Sequence, residues 1–261
     1  MNKDHIVRAI RDERARTLTF LGGLEPEQFD TPTALPGWRL REVIAHLVTT
    51  DKASVLGANL VTVLGSMERL ERWNDRQVPK WADRPVPDLL LGLDRWGRKM
   101  RRLAQTLPAA LYRLRVPTIF GRAPLGLLLW SRVYDEWVHR QDMRRALGLP
   151  DQEVDLESPA EFLLTAIVSA VLPKVAGKGG DVVVSLEGTP VPEWRFDVAG
   201  RTGGPADGSP AASARVSGPA TTIIMAAAGR GSFRSLQDEG VLRVEGDQDL
   251  AARFLANLRV V

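Results

Sequence analysis

Leu35-Pro36-Gly37-Trp38-Arg39-Leu40-Arg41-Glu42-Val43-Ile44-Ala45-His46-Leu47 and Tyr134-Asp135-Glu136-Trp137-Val138-His139-Arg140-Gln141-Asp142 are the two stretches on which the reading of this chain turns. In the first, Pro36-Gly37 is turn chemistry, and Val43, Ile44, Leu47 and Val48 then recur at helical spacing. His46 lies beside that stripe and is expected to point at least partly inward. In the second, Asp135 and His139 stand four residues apart, a spacing that puts both side chains on one face of a helix. Those two can grip one ion while His46 approaches from a facing helix. Two imidazoles and one carboxylate leave a divalent metal such as zinc with open positions, as catalytic zinc sites do.

A plainer reading stands beside this one. His46 can be a hydrogen-bonded core histidine, with Asp135 and His139 a helix-surface pair. Glu136 competes with Asp135, since i, i+3 also faces His139 and the longer side chain has more reach. Asp142 either accepts a hydrogen bond from an imidazole or pairs with Arg145 three residues on.

Working outward, the first half of the chain reads as helical. Ile6, Ile10, Leu18 and Leu21 form an apolar stripe from about Asp4 to Leu21 that Gly22-Gly23 stops. A third helix is expected from Pro87-Asp88 to Leu107, and a fourth from Pro124 to Leu147, ended by Gly148-Leu149-Pro150. Four such helices fit an antiparallel four-helix bundle, whose core is a common place for metal sites.

Composition changes after Pro150, which puts a domain boundary there: 1–150 as a helical bundle and 151–261 as an α+β domain. The second part reads as a helix from Pro159 to Val175 and strands at Asp181 to Glu187, Trp194 to Val198, Ala212 to Val216 and Val241 to Val244. Helices near Ala220 to Ala228 and Gln248 to Leu258 complete it. Gly200 to Pro210, rich in Gly, Pro, Ala and Ser, reads as a mobile hairpin loop. The glycine-flanked Arg230 that follows the apolar helix is placed to lean towards a carboxylate, although Gly229-Arg230-Gly231 is equally good loop chemistry.

With 44% hydrophobic and 26% charged residues over 261 positions, the chain has the composition of an ordinary globular protein. A net charge of +3 makes no electrostatic case for nucleic acid, and the most apolar run, Phe162 to Leu172, is too short to span a bilayer. No signal-peptide core follows the N-terminus, so the expected compartment is the cytoplasm. The basic stretch Arg95, Arg98, Lys99, Arg101 and Arg102 covers more than one helix face and reads as solvated surface. The chain has no cysteine, so thiol chemistry would need a small-molecule thiol from outside.

Leu35-Pro36-Gly37-Trp38 through Ala45-His46-Leu47, the segment Trp73-Asn74-Asp75-Arg76, and the pattern Asp135, Trp137, His139, Asp142 together resemble the mycothiol-dependent maleylpyruvate isomerase family. The resemblance covers nearly the whole chain. It implies a DinB-like metal-binding four-helix bundle followed by a domain similar to sterol carrier protein 2. By position it implies His46, Asp135 and His139 as metal ligands, with Asp135 a departure from the longer Glu of the family pattern. It implies Arg230 as the assisting catalytic arginine of the second domain.

The activity it implies is that of a metal-dependent, mycothiol-dependent transferase or isomerase. A metal-bound thiolate would attack a small electrophilic substrate, with mycothiol as cosubstrate. The competing reading is a non-catalytic small-molecule or lipid-binding protein with a structural or vestigial metal site. Metal-dependent hydrolysis, with water in place of the thiol, is a third.

Overall fold

The computed structural model describes residues 2–57, 67–118, 121–175, 177, 179–206, 208 and 212–260. The chain forms two compact units, Met1–Asp151 and Gln152–Val261. Among the described residues, no helix is long and apolar enough to cross a membrane.

The first unit is built on four long helices: α1 (Lys3–Gly22), α2 (Leu40–Val55), α4 (Val86–Thr106) and α5 (Leu125–Ala146), with the shorter α3 (Met67–Gln77) between α2 and α4. Their ends carry the expected chemistry. Asn2 caps α1 by accepting from Asp4 N–H at 2.9 Å, and Glu42 in the first turn of α2 accepts from Arg39 N–H at 2.8 Å. Leu40, Val43, Ile44, Leu47 and Val48 line one face of α2 and are fully buried against Leu89 and Leu93 of α4 and Leu21 of α1.

α1 and α2 each pack on both α4 and α5. Lys3 at the start of α1 donates to Gln105 O and Leu107 O at the end of α4, so those two helices are antiparallel. His46 and Asp51 of α2 meet His139 and Arg132 of α5 in the reverse order, so α2 and α5 are antiparallel too. Arg41 reaches Arg84 O just before α4, while Lys52 lies over the Trp96 ring, so consecutive α2 and α4 run in the same direction. A parallel pair needs a long connection, and residues 56–85 supply it. A short antiparallel pair that the sequence reading did not include, β1 (Arg115–Thr118) with β2 (Gly121–Pro124), joins α4 to α5.

The second unit packs helices on a five-stranded sheet of order β5-β4-β3-β6-β7, from β3 (Asp181–Glu187), β4 (Trp194–Asp197), β5 (Thr202–Pro205), β6 (Ala214–Pro219) and β7 (Arg243–Gly246). Only β3 and β6, at its centre, are parallel. Around it lie α6 (Glu157–Ala170), α7 (Ala220–Ala227), α8 (Phe233–Asp238) and α9 (Gln248–Asn257). The central strand β3 buries Val182, Val183 and Val184 in succession, as a strand covered on both faces should.

Three expectations need correcting. The segment read as a mobile loop contains strand β5, because Gly203 lies across from Phe196, whose ring occupies the space a side chain would need. The remainder of that reading, at 207 and 209–211, lies outside the described residues. The helix expected to reach Val175 ends at Ala170, three residues before the helix-breaking Pro173. β6 and β7 each begin two residues later than expected, and before β7 the Val241 and Leu242 N–H groups both donate to Leu236 O.

Candidate metal centre

Leu35 to Trp38 is a turn in which Trp38 N–H donates to Leu35 O at 3.0 Å, with Pro36 second and Gly37 at φ +76° third. That is a type II turn, and its third position requires the positive φ that glycine adopts without strain. The turn sets the Trp38 ring 5.3 Å from the ring of His46 and 6.3 Å from that of His139. The two imidazoles themselves are edge to face at 4.9 Å.

His46, Asp135 and His139 are gathered so that one donor atom from each lies within 4.8 Å of the others. His46 Nε2 stands 3.5 Å from Asp135 Oδ2, and His139 Nε2 stands 3.6 Å from Asp135 Oδ1. These are poor hydrogen-bond distances, but ligands about 2.0 to 2.2 Å from a tetrahedral ion lie about 3.3 to 3.6 Å apart. His46 Nε2 is buried and has no hydrogen-bond partner among the described residues. A buried orphan nitrogen facing a carboxylate and a second imidazole fits a divalent cation.

The other nitrogen of each ring is engaged. His46 Nδ1 is 3.2 Å from Asn74 Oδ1, and His139 Nδ1 is 3.1 Å from Asp142 Oδ2. With Nδ1–H donating outward, each Nε2 keeps its lone pair for the shared space. Asp142 therefore serves the imidazole, while Arg145 pairs with Asp151 instead. Asn74, on α3, is brought to the site by the fold although its own sequence position carries no metal-ligand signal; its segment entered only through the family resemblance.

Glu136 is turned away from this space. Its two oxygens accept from Arg14 Nε at 2.7 Å and Arg14 Nη2 at 2.9 Å. Asp135 accepts from Arg132 Nη1 at 2.8 Å. The carboxylate available at the site is thus that of Asp135.

Electrostatics agree with this division. Burial alone would raise the Asp135 carboxyl, but Arg132, His139 and His46 outweigh it and hold it well below the usual carboxylate range. Burial also lowers His46, an effect that Asp135 only partly opposes, so the neutral imidazole is favoured. An ionised carboxylate and a neutral imidazole are the forms that bind metal.

In the second unit, Arg230 follows α7, where its N–H donates to Met225 O at 2.8 Å while that of Gly229 donates to Ala226 O at 2.9 Å. With Gly229 at φ +79°, this is a Schellman helix stop, so Gly229-Arg230 has a structural use of its own. The guanidinium donates to Ala228 O. Arg98 pairs with Asp94, and Lys99 lies 4.3 Å from the centroid of the Trp96 ring, as on an ordinary helix surface.

A helical bundle that gathers two imidazoles and a carboxylate, followed by an α+β unit, defines a two-unit protein with a candidate metal centre. Residues 10–144 match the model of the mycothiol maleylpyruvate isomerase N-terminal domain, and residues 157–253 match that of the MDMPI C-terminal domain. The chain belongs to the mycothiol maleylpyruvate isomerase family.

Two solved structures share its fold. The mycothiol-dependent maleylpyruvate isomerase is 20% identical, with a TM-score of 0.59 over 88% of this chain and 90% of the other. A histidine-to-alanine variant of a protein so described is 18% identical, with a TM-score of 0.60 over 94% and 93%. No curated protein matches the chain in sequence.

Proposed function

We propose that this protein is a divalent-metal-dependent enzyme that uses mycothiol to transform a small electrophile, as a transferase or an isomerase. The observation that carries the reading is His46 Nε2, buried beside Asp135 and His139 with no hydrogen-bond partner among the described residues. His46, Asp135 and His139 would hold the ion, and their two nitrogens and one oxygen suit zinc. A bound cation of this kind lowers the pKa of a thiol enough to supply a thiolate at neutral pH.

The chain's own residues do the rest. Asn74 and Asp142 orient the imidazoles, Arg132 keeps Asp135 ionised, and Trp38 walls the two rings. A chain with no cysteine must take its thiol from a small molecule, which agrees with the mycothiol dependence in the names of its structural relatives. Arg230 is the proposed catalytic arginine, binding an acidic group of the substrate. The proposed setting is the cytoplasm, with neither nucleic acid nor membrane as partner.

The test is metal analysis of protein purified without chelator or histidine tag, coupled to thiol consumption with mycothiol and a panel of small electrophiles. One equivalent of metal and metal-dependent thiol loss, both abolished in His46→Ala, are expected. Metal without thiol chemistry would favour a binding protein with a structural metal, and no metal after reconstitution would overturn the enzyme reading. Product analysis separates isomerisation from a retained thiol conjugate, and Arg230→Met should raise KM for acidic substrates without lowering metal content.

A further inference from the structure

Asp51 lies on α2 with its side chain 2% exposed and is outside the candidate metal triad. It bridges two arginines, accepting from Arg14 Nη2 at 2.7 Å on Oδ2 and from Arg132 Nε at 3.1 Å on Oδ1. Arg132 in turn donates from Nη1 to Asp135, and its Nη2 is buried with no hydrogen-bond partner among the described residues. Beyond Asp51, Arg14 is held by both oxygens of Glu136 and by Leu93 O. Glu136, Arg14, Asp51, Arg132 and Asp135 therefore form a row of alternating charge through the bundle core.

Guanidinium and carboxylate favour two parallel hydrogen bonds, a geometry Arg132 and Asp135 do not adopt. Asp135 receives one bond because Asp51 holds the Nε side of the same group. Released from Asp51, Arg132 is free to turn Nη1 and Nη2 together onto Asp135. Both carboxylate oxygens, one facing each imidazole, would then be engaged.

We propose that Asp51 is a positioning residue: it restrains Arg132 to a single bond with Asp135 and so keeps Asp135 Oδ1 available to a divalent cation shared with His46 and His139. The inference rests on the metal reading above and adds to it the device that tunes the site's affinity. Asp51 acts through Arg132 and touches neither metal nor substrate.

The experiment is a zinc titration of the full chain against a chromophoric chelator, with far-ultraviolet circular dichroism as the check on folding. Asp51→Asn is expected to bind zinc about 10- to 100-fold more weakly, the usual effect of removing an outer partner of a metal site. The double variant Asp51→Asn/Arg132→Lys is expected to recover at least about tenfold of that loss, because an ammonium keeps a positive charge beside Asp135 but cannot make the two-bond pair of the competing guanidinium. A purely structural Asp51 predicts a double variant no better than the single one, and that result would overturn the proposal.

Should Asp51→Asn not fold, Arg14→Met/Glu136→Gln provides the second test. It removes one charge of each sign and leaves Asp51 wholly to Arg132, so zinc affinity at or above wild type is expected and a loss overturns the proposal. Wild-type protein that binds no zinc overturns the metal reading together with this inference. Zinc binding unchanged in Asp51→Asn overturns the inference alone.

Discussion

His46 Nε2 on α2 and Asp135 Oδ2 on α5 stand 3.5 Å apart inside the bundle, too far for a good hydrogen bond and about right for two ligands of one ion. The pair joins helices from the beginning and the end of the first unit, so the bundle must be assembled before the site exists.

Replacement of either histidine by alanine should remove the bound metal. His46→Ala and His139→Ala are each expected to fall from about one equivalent to a small fraction of one by plasma mass spectrometry. Both variants retaining full metal content would refute the assignment of ligands.

Asn74→Ala tests the orienting contact to His46. The imidazole loses the acceptor 3.2 Å from its Nδ1, and metal affinity should drop about 10- to 100-fold while helical content is unchanged. An affinity equal to wild type would show that His46 is held by packing alone, with Trp38 5.3 Å away.

Metal affinity should fall as pH drops through the lowered folded-state value of His46, beneath the ordinary histidine value of about 6.5, since a proton there displaces the ion. The sign for stability is the same. The folded-state pKa of His46 is lowered, so as pH falls from about 6.5 towards that lowered value the unfolded chain takes up a proton that the fold disfavours, and stability declines across that window. Asp135, also lowered, contributes above its unfolded value near 3.8 and loses that contribution as pH falls through its folded value. Burial pushes Glu13 up to about 7, which acts in the opposite sense. The measurement is therefore the stability of wild type minus that of His46→Ala in chelator-treated protein, which should shrink as pH falls below about 6.5, and a difference that stays constant or grows as pH falls would contradict the assignment.

Arg14 is bonded to Asp51, to Glu136 and to Leu93 O, and Arg14→Met leaves Asp51 and Glu136 without a shared partner. Stripping one partner from a buried ion pair costs about 3 to 5 kcal/mol, so denaturant unfolding followed by tryptophan fluorescence should show a loss of that order. A loss below about 1 kcal/mol, the value of an exposed pair, would mean that water reaches these groups.

Gly97→Ala gives a sharper packing test. A Cβ there would lie 2.0 Å from Arg14 Nη1 and 2.8 Å from its Cζ, and Arg14 is pinned by Asp51 and Glu136. Overpacking costs about 1 to 3 kcal/mol, while alanine in a helix interior regains up to about 1 kcal/mol over glycine. A net loss is expected in the wild type and a neutral or stabilising effect in an Arg14→Ala background. Equal effects in the two backgrounds would rule out the steric account.

Much of the helical unit was legible along the chain because its signals are local. Val43, Ile44, Leu47 and Val48 repeat at helical spacing, Gly22-Gly23 and Gly148 stop helices, and Asp135 and His139 share a face by spacing alone. The Gly-rich segment failed as a guide because strand β5 is held by pairing with β4 and by the Phe196 ring, a requirement carried by residues elsewhere.

The sequence by itself determined the helices, the change of architecture near residue 150, the family, and the two histidines with a carboxylate beside them. Only the tertiary structure decided which carboxylate faces the imidazoles. Adjacent residues on a helix point about 100° apart, and Asp135 and Glu136 are sorted by arginines of different elements, Arg132 beside one and Arg14 of α1 on the other. It also decided that α5 buries Arg132, Glu136, His139, Arg140 and Asp142, against the rule that charged groups face water. A buried charge is tolerable when it is paired, and for Arg132, Glu136 and Arg140 the pairing comes from Asp51 of α2 and from Arg14 and Glu13 of α1, an energy that exists between helices, where no periodicity along one chain segment records it.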